Sequence, residues 1–131
     1  MIKVLIKQYS DNLPTPVILA NAGIHFKNVQ TNQNPMKQPC VYILSNHVRG
    51  TLYIGVTSDL MSRVWQHKHD LVDGFSKQYQ LHLLVYFEVA ETMLVAITRE
   101  KQLKKWNRAW KIELIEEKNA QWRDLYLDLM P

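Results

Sequence analysis

The sequence has a single cysteine, Cys40, only four glycines and no long apolar run. A lone thiol cannot close an internal disulfide, and no His/Cys grouping has zinc-site spacing. Neither a disulfide framework nor a structural zinc is therefore expected. One thiol without a framework suits a reducing cytoplasm. No segment is long and apolar enough to span a bilayer. The opening MIKVLIKQYS is interrupted by Lys3 and Lys7 and is not followed by a small-residue cleavage site, which argues against a secretion signal. No internal repeat is visible. Neither charge sign is in large excess: 16 Lys and Arg against 12 Asp and Glu give +4. That balance permits a polyanionic partner without requiring one.

What is present fits one domain. The chain has 131 residues, 47% of them hydrophobic, enough for one packed core. The charge is unevenly placed. Between Arg99 and Lys111 six basic residues (Arg99, Lys101, Lys104, Lys105, Arg108, Lys111) face one acid, Glu100. Beyond Ile112 the acids Glu113, Glu116, Glu117, Asp124 and Asp128 outnumber Lys118 and Arg123. A basic segment followed by an acidic tail reads as a local binding face more than as a uniformly sticky surface.

Residues 1–39 are punctuated by Pro14, Pro16, Pro35 and Pro39, with a polar stretch at 28–35. They read as a poorly defined extension with short strands, at most, at 2–6 and 17–20. The domain is expected over 40–131. VYIL (41–44) and LYIGV (52–56) are β-branched and aromatic runs joined by a short polar connection, which predicts a hairpin. Thr57, Ser58 and Asp59 offer N-caps for a helix whose apolar face is Leu60, Val64 and Leu71, with Met61 and Trp65 beside it. DGFSKQY (73–79) reads as a loop and HLLVYFEV (82–89) as a third strand. A helix is expected from Glu91 to about Trp106, with Met93, Leu94, Ile97 and Leu103 on its buried stripe. Another follows with Trp110, Ile112, Leu114 and Ile115, and Trp122, Leu125 and Leu129 dock the end of the chain. The order β-β-α-β-α-α predicts an α+β domain on a small, largely antiparallel three-stranded sheet flanked by helices.

Some residues stand out from this pattern. Glu100 falls on the stripe between Ile97 and Leu103, and a buried carboxylate is costly unless paired or bound to a cation. Two readings remain open: an ion pair with Lys104 or Lys101, or a metal ligand held on a rigid helix. Arg63 and His67 share one helix face; a solvated flank and a phosphate site both accommodate them. Tyr42 and Tyr53 point away from the aliphatic side of their strands, and a symmetric hairpin would set them nearly opposite each other. They form either a stabilising aromatic pair or the lining of a cleft, where Gly55 allows close approach.

This constellation resembles the GIY-YIG nucleases. Tyr53-Ile54-Gly55 reproduces the second motif intact, and Cys40-Val41-Tyr42 stands where Gly-Ile-Tyr would be. The spacing from Tyr42 to Tyr53 and on to Arg63 matches the family. His67 and Glu100 fall where it often has a histidine and its metal-binding glutamate. TLYIGVTSDLMSRVWQHK and REKQLKKWNRAWK are similar to the stand-alone bacterial single-domain branch, related to the nuclease domain of the excision-repair incision subunit. The resemblance covers about residues 40–126. Loss of the first glycine alters only local backbone freedom, since β conformation needs no glycine. The family's asparagine is not carried over, because Asn107 lies too near Glu100 in the chain.

The resemblance implies a cytoplasmic endonuclease that hydrolyses phosphodiesters in branched, damaged or single-stranded DNA, in repair or recombination. Glu100 would hold Mg²⁺ or Mn²⁺ and Arg63 would bind the scissile phosphate. Tyr42 would help deprotonate the attacking water, Tyr53 would orient water or phosphate, and His67 would relay a proton. Lys68 and Lys77 would contact phosphate, and Lys101, Lys104, Lys105, Arg108 and Lys111 would track the backbone. Trp106 and Trp110 could stack on bases, with at least one of them expected in the core. No element for base-specific readout is expected. The competing readings are a nucleic-acid clamp of the same fold with weak or lost chemistry, and a protein adaptor anchored on Trp106, Trp110 and Trp122.

Overall fold

The computed structural model describes residues 37–130. The strands expected at 2–6 and 17–20, and most of the expected extension 1–39, lie outside the described residues. Strand β1 (Cys40–Ser45) is central, with β2 (Leu52–Thr57) and β3 (Leu83–Val89) antiparallel on either side, in the order β2-β1-β3. The central place explains why CVYILS is apolar almost throughout: all six residues are buried, so both faces of β1 lie in core.

Helix α1 (Leu60–Lys68) follows the hairpin and is capped by Asp59, whose Oδ1 accepts from the Ser62 amide at 3.2 Å. A one-turn helix α2 (Phe75–Gln78) precedes β3. Thr92 caps α3 (Met93–Lys105), Asn107 caps α4 (Arg108–Lys118), and a last turn α5 (Tyr126–Leu129) closes the described chain. The fold is α+β, as expected, with one-turn helices added within the expected loop 73–79 and at the end.

The sheet separates two cores. On one face Val41, Ile43, Ile54 and Val85 pack with Ala96 and Leu103 of α3, Leu114 and Ile115 of α4, and Trp106 and Trp122. On the other, Cys40, Tyr42, Leu44, Leu84 and Val89 pack with Leu60 and Val64 of α1 and with Leu81. Leu125 and Leu129 dock on the second core, as expected.

Two expected core positions are corrected. Leu71 lies beyond the end of α1 and is exposed. Leu94 is exposed as well, because α3 turns Ala96, Arg99, Gln102 and Leu103 inward instead. The inward turn is set by Arg99, whose guanidinium meets Glu88 of β3 at 2.9 Å. A buried cation with a buried partner takes a place that hydrophobic spacing assigns to leucine.

Candidate active site

The second face of the hairpin brings together residues from three elements. Tyr42 on β1 lies opposite Gly55, and Tyr53 on β2 lies opposite Leu44. The two phenols are therefore diagonal neighbours rather than directly opposed, with ring centroids 6.3 Å apart. Gly55 makes this possible. A Cβ built there would stand 2.6 Å from the Tyr42 Oη and 2.7 Å from its Cζ, so the ring lies across the glycine. Gly55→Ala is expected to displace Tyr42 and to cost about 1–3 kcal/mol by overpacking. Urea midpoints and cleavage rates measured together check this; an alanine variant that keeps both would show that the ring does not need the space.

His67 of α1 is buried between the phenols, with ring centroids 5.8 Å from Tyr42 and 5.3 Å from Tyr53. Its Nε2 lies 2.9 Å from the Tyr42 Oη, and its Nδ1 lies 2.8 Å from the Ser76 Oγ on α2. Burial, the Arg63 charge and His82 push its pKa down to about 4, so the ring is neutral at pH 7. A neutral imidazole carries one N–H, so it donates to one of these hydroxyls and accepts from the other. Burial, followed by Tyr53, raises the Tyr42 phenol well above its usual range. Arg63 opposes that rise and the Glu100 charge adds to it.

This histidine gives a pH signature. An unfolded imidazole titrates near 6.5 and the folded one near 4, so the unfolded chain binds the extra proton first. The neutral ring's contribution is complete above pH 6.5 and is lost as the pH falls to about 4. The loss amounts to about 3 kcal/mol at 1.36 kcal/mol per pKa unit. Urea unfolding at pH 7 and pH 4.5 should show it, and His67→Gln should flatten the slope. Equal slopes in both proteins would contradict a buried neutral ring.

Arg63, one turn before His67, is partly exposed, and its guanidinium makes no ion pair or hydrogen bond among the described residues. Its charge acts on both Tyr42 and His67. Glu100 has a side chain only 15% exposed and pairs with Lys104 at 2.6 Å, so the ion pair that spacing allowed is formed. Among the described residues no group of three or more His, Cys, Asp or Glu could enclose a metal ion. A single carboxylate suits Mg²⁺ or Mn²⁺, hard cations that keep most of their waters. Lys104 is half-exposed and engages Oε2, and a helical pair of this kind is weak enough to yield to a divalent cation. The donor set thus fits a hydrated divalent ion on Glu100.

The basic residues divide. Lys101 and Lys105 are exposed on α3 beside Lys104. Arg99, counted in the basic run, is buried against Glu88 and leaves that face. Arg108 donates to the carbonyls of Arg49 and Gly50, at 2.5 and 2.8 Å, and ties the hairpin turn to α4. Lys111 is partly buried, and burial with nearby Arg108 lowers its pKa. Lys68 is engaged by Asp124 and by the His82 carbonyl at 2.8 Å, so it braces the second core. Lys77 is exposed and loosely paired with Asp73 at 3.5 Å. Trp106 is buried and meets Trp110 edge-on, which removes it as a stacking surface. Trp122 is buried too, donating to Glu116 at 2.6 Å, and presents no anchor to a partner. Sequence alone does not reveal Ser76, because nothing in a short polar stretch marks one serine as the partner of a histidine nine residues earlier.

The family model of the GIY-YIG catalytic domain matches residues 38–113. UPF0213 proteins of Staphylococcus aureus strains Mu3, Mu50 and N315 are each 35% identical to this chain over 69 residues, covering 53% of it and 84% of their own length. Their name states no activity. No solved structure matches.

Proposed function

Because the chain belongs to the GIY-YIG catalytic-domain family, a nuclease family, we propose that it is an endonuclease hydrolysing DNA phosphodiesters with Mg²⁺ or Mn²⁺ held on Glu100. The observation that carries this reading is the convergence on one phenol. Tyr42 is bonded to His67, packs near Tyr53, and feels Arg63 and Glu100 with opposite sign.

A phosphodiester repels a nucleophile, so the site must neutralise charge and hold water in line. Arg63 forks its donors onto the phosphate oxygens. Glu100 would hold a divalent ion, which would supply further charge neutralisation there. The Tyr42 and Tyr53 hydroxyls orient the attacking water. With its N–H on Nδ1 toward Ser76, His67 offers Nε2 as acceptor for the Tyr42 proton. Tyr42 then receives the proton from water as its own moves to the imidazole. Its raised pKa holds the phenol protonated at rest, and compensating the Glu100 charge would remove one of the causes that raise it. Lys101, Lys104 and Lys105 lie on the face that would follow the sugar-phosphate backbone. Cutting of branched, damaged or single-stranded DNA would place the protein in cytoplasmic repair or recombination. No helix among the described residues is long and apolar enough to cross a membrane.

A second reading draws on the Lys104–Glu100 pair and the altered first motif: a clamp that binds DNA without cutting it. Labelled single-stranded, duplex and branched DNA incubated with Mg²⁺ or Mn²⁺, and with EDTA as control, separates the two. Metal-dependent cutting supports the enzyme; steeply salt-dependent binding without cutting supports the clamp.

A further inference from the structure

Most aromatic rings in the described residues are wholly or partly buried, and the exposed ones, Trp65, Phe75 and Tyr79, all lie in the stretch that also carries His67 and Ser76. Trp65 stacks on His69 at 4.1 Å, on the flank of α1 turned away from Arg63. Phe75 and Tyr79 form a pair of their own, with centroids 4.7 Å apart and planes at 47°. They are 47% and 44% exposed.

The turn that carries them is fastened at the site. Ser76 is buried and bonded to the His67 Nδ1. The Leu81 amide donates to the Ser76 carbonyl at 2.9 Å, and Asn46 of the hairpin connection donates to the Tyr79 carbonyl at 3.4 Å. Ser76 thus points into the site while its neighbours present two rings at the rim. Leaving both rings in water forgoes the burial that core aromatics gain.

We propose that Phe75 and Tyr79 form a stacking platform for an unpaired nucleobase beside the scissile phosphate. The inference rests on the nuclease reading of the same site and gives it a substrate class, a nucleic acid whose bases are unpaired at the point of cutting. Continuity with the Arg63–His67 site favours a nucleobase as occupant, since a phosphate held there carries its base along. Lys77, exposed in the same turn and held only by a loose 3.5 Å pair with the exposed Asp73 among the described residues, can exchange that partner for a phosphate. Stacking needs an open base face, which a base inside a duplex does not offer.

The test uses the full chain carrying Glu100→Gln to suppress cutting, a single-stranded oligonucleotide containing 2-aminopurine, and its duplex. Replacing both rings by leucine keeps apolar bulk and removes the π-faces. Single-strand affinity should fall about 10-fold per ring, duplex affinity should change less than about twofold, and 2-aminopurine quenching should vanish. Phe75→Tyr with Tyr79→Phe should restore all three. Equal loss on both substrates, unchanged single-strand binding, or a dimer of the parent chain that the leucines break would overturn the platform. Cutting by the wild-type chain is read separately: stacking without cutting removes only the enzyme reading, and cutting without stacking removes only the platform.

Discussion

Glu100→Gln is expected to reduce metal-dependent cleavage at least about 1000-fold while leaving the fold intact. The loss follows from removing the carboxylate that would hold the cation, whose charge stabilisation is worth several kcal/mol in the transition state. The fold is spared because, among the described residues, the ion pair given up is a helical one with the half-exposed Lys104, worth about 0.3–0.5 kcal/mol. Arg63→Ala should slow cutting by about 100- to 1000-fold, and truncation strands no partner among the described residues. Lys104→Met gives the complementary sign: freed of its lysine, Glu100 should bind Mn²⁺ more tightly by calorimetry, while affinity for DNA falls by one phosphate contact. Glu100→Gln cutting at the wild-type rate, with circular dichroism unchanged, would remove the carboxylate from the mechanism.

The strands and long helices were legible because each carries its own local signal. VYIL, LYIGV and LLVYFEV are β-branched and aromatic runs between turn residues, and the N-cap is Asp59, one of the three the sequence offers. The gathering of Tyr42, Tyr53 and His67 was legible through motif spacing. Period-2 alternation assigns a face but not a partner, so the register that sets Tyr42 on Gly55 emerged only from the paired strands. Leu94 and Arg99 show the limit of hydrophobic spacing: a pattern that counts apolar residues turns the leucine inward, whereas the ion pair to Glu88 turns the arginine inward. Ser76, Phe75 and Tyr79 sit in seven residues with no periodicity. Their placement depends on contacts to α1 and the hairpin that sequence distance conceals.

Arg99→Met is expected to cost about 3–5 kcal/mol, a large share of the roughly 5–15 kcal/mol that holds a domain of this kind together. The side chain is 2% exposed and donates to Glu88 through Nε and Nη2 and to Gln102 through Nη1, with its guanidinium over the Trp106 ring. Methionine keeps the bulk but leaves a largely buried carboxylate without its guanidinium, held only by the Tyr86 hydroxyl among the described residues. Burial alone would raise the Glu88 pKa; in the wild type Arg99, together with the Tyr86 hydroxyl and Lys118, outweighs that and holds it below 4.5. Wild-type stability from this pair is therefore present above pH 4.5 and lost as the pH falls through the lower folded value. In the variant the carboxyl rises instead and escapes its penalty by taking a proton, so the deficit should be greatest at neutral pH and shrink on acidification. Glu88→Leu combined with Arg99→Met should recover much of the loss, since no charge is left unpaired. Arg99 also fixes the rotation of α3 on the sheet and so aims the next residue, Glu100. Cleavage by Arg99→Met, measured at a temperature where the variant is still folded, should therefore fall with it, and the double variant should regain stability before activity. Full activity in a folded Arg99→Met chain would mean that Glu100 is aimed by other contacts of α3.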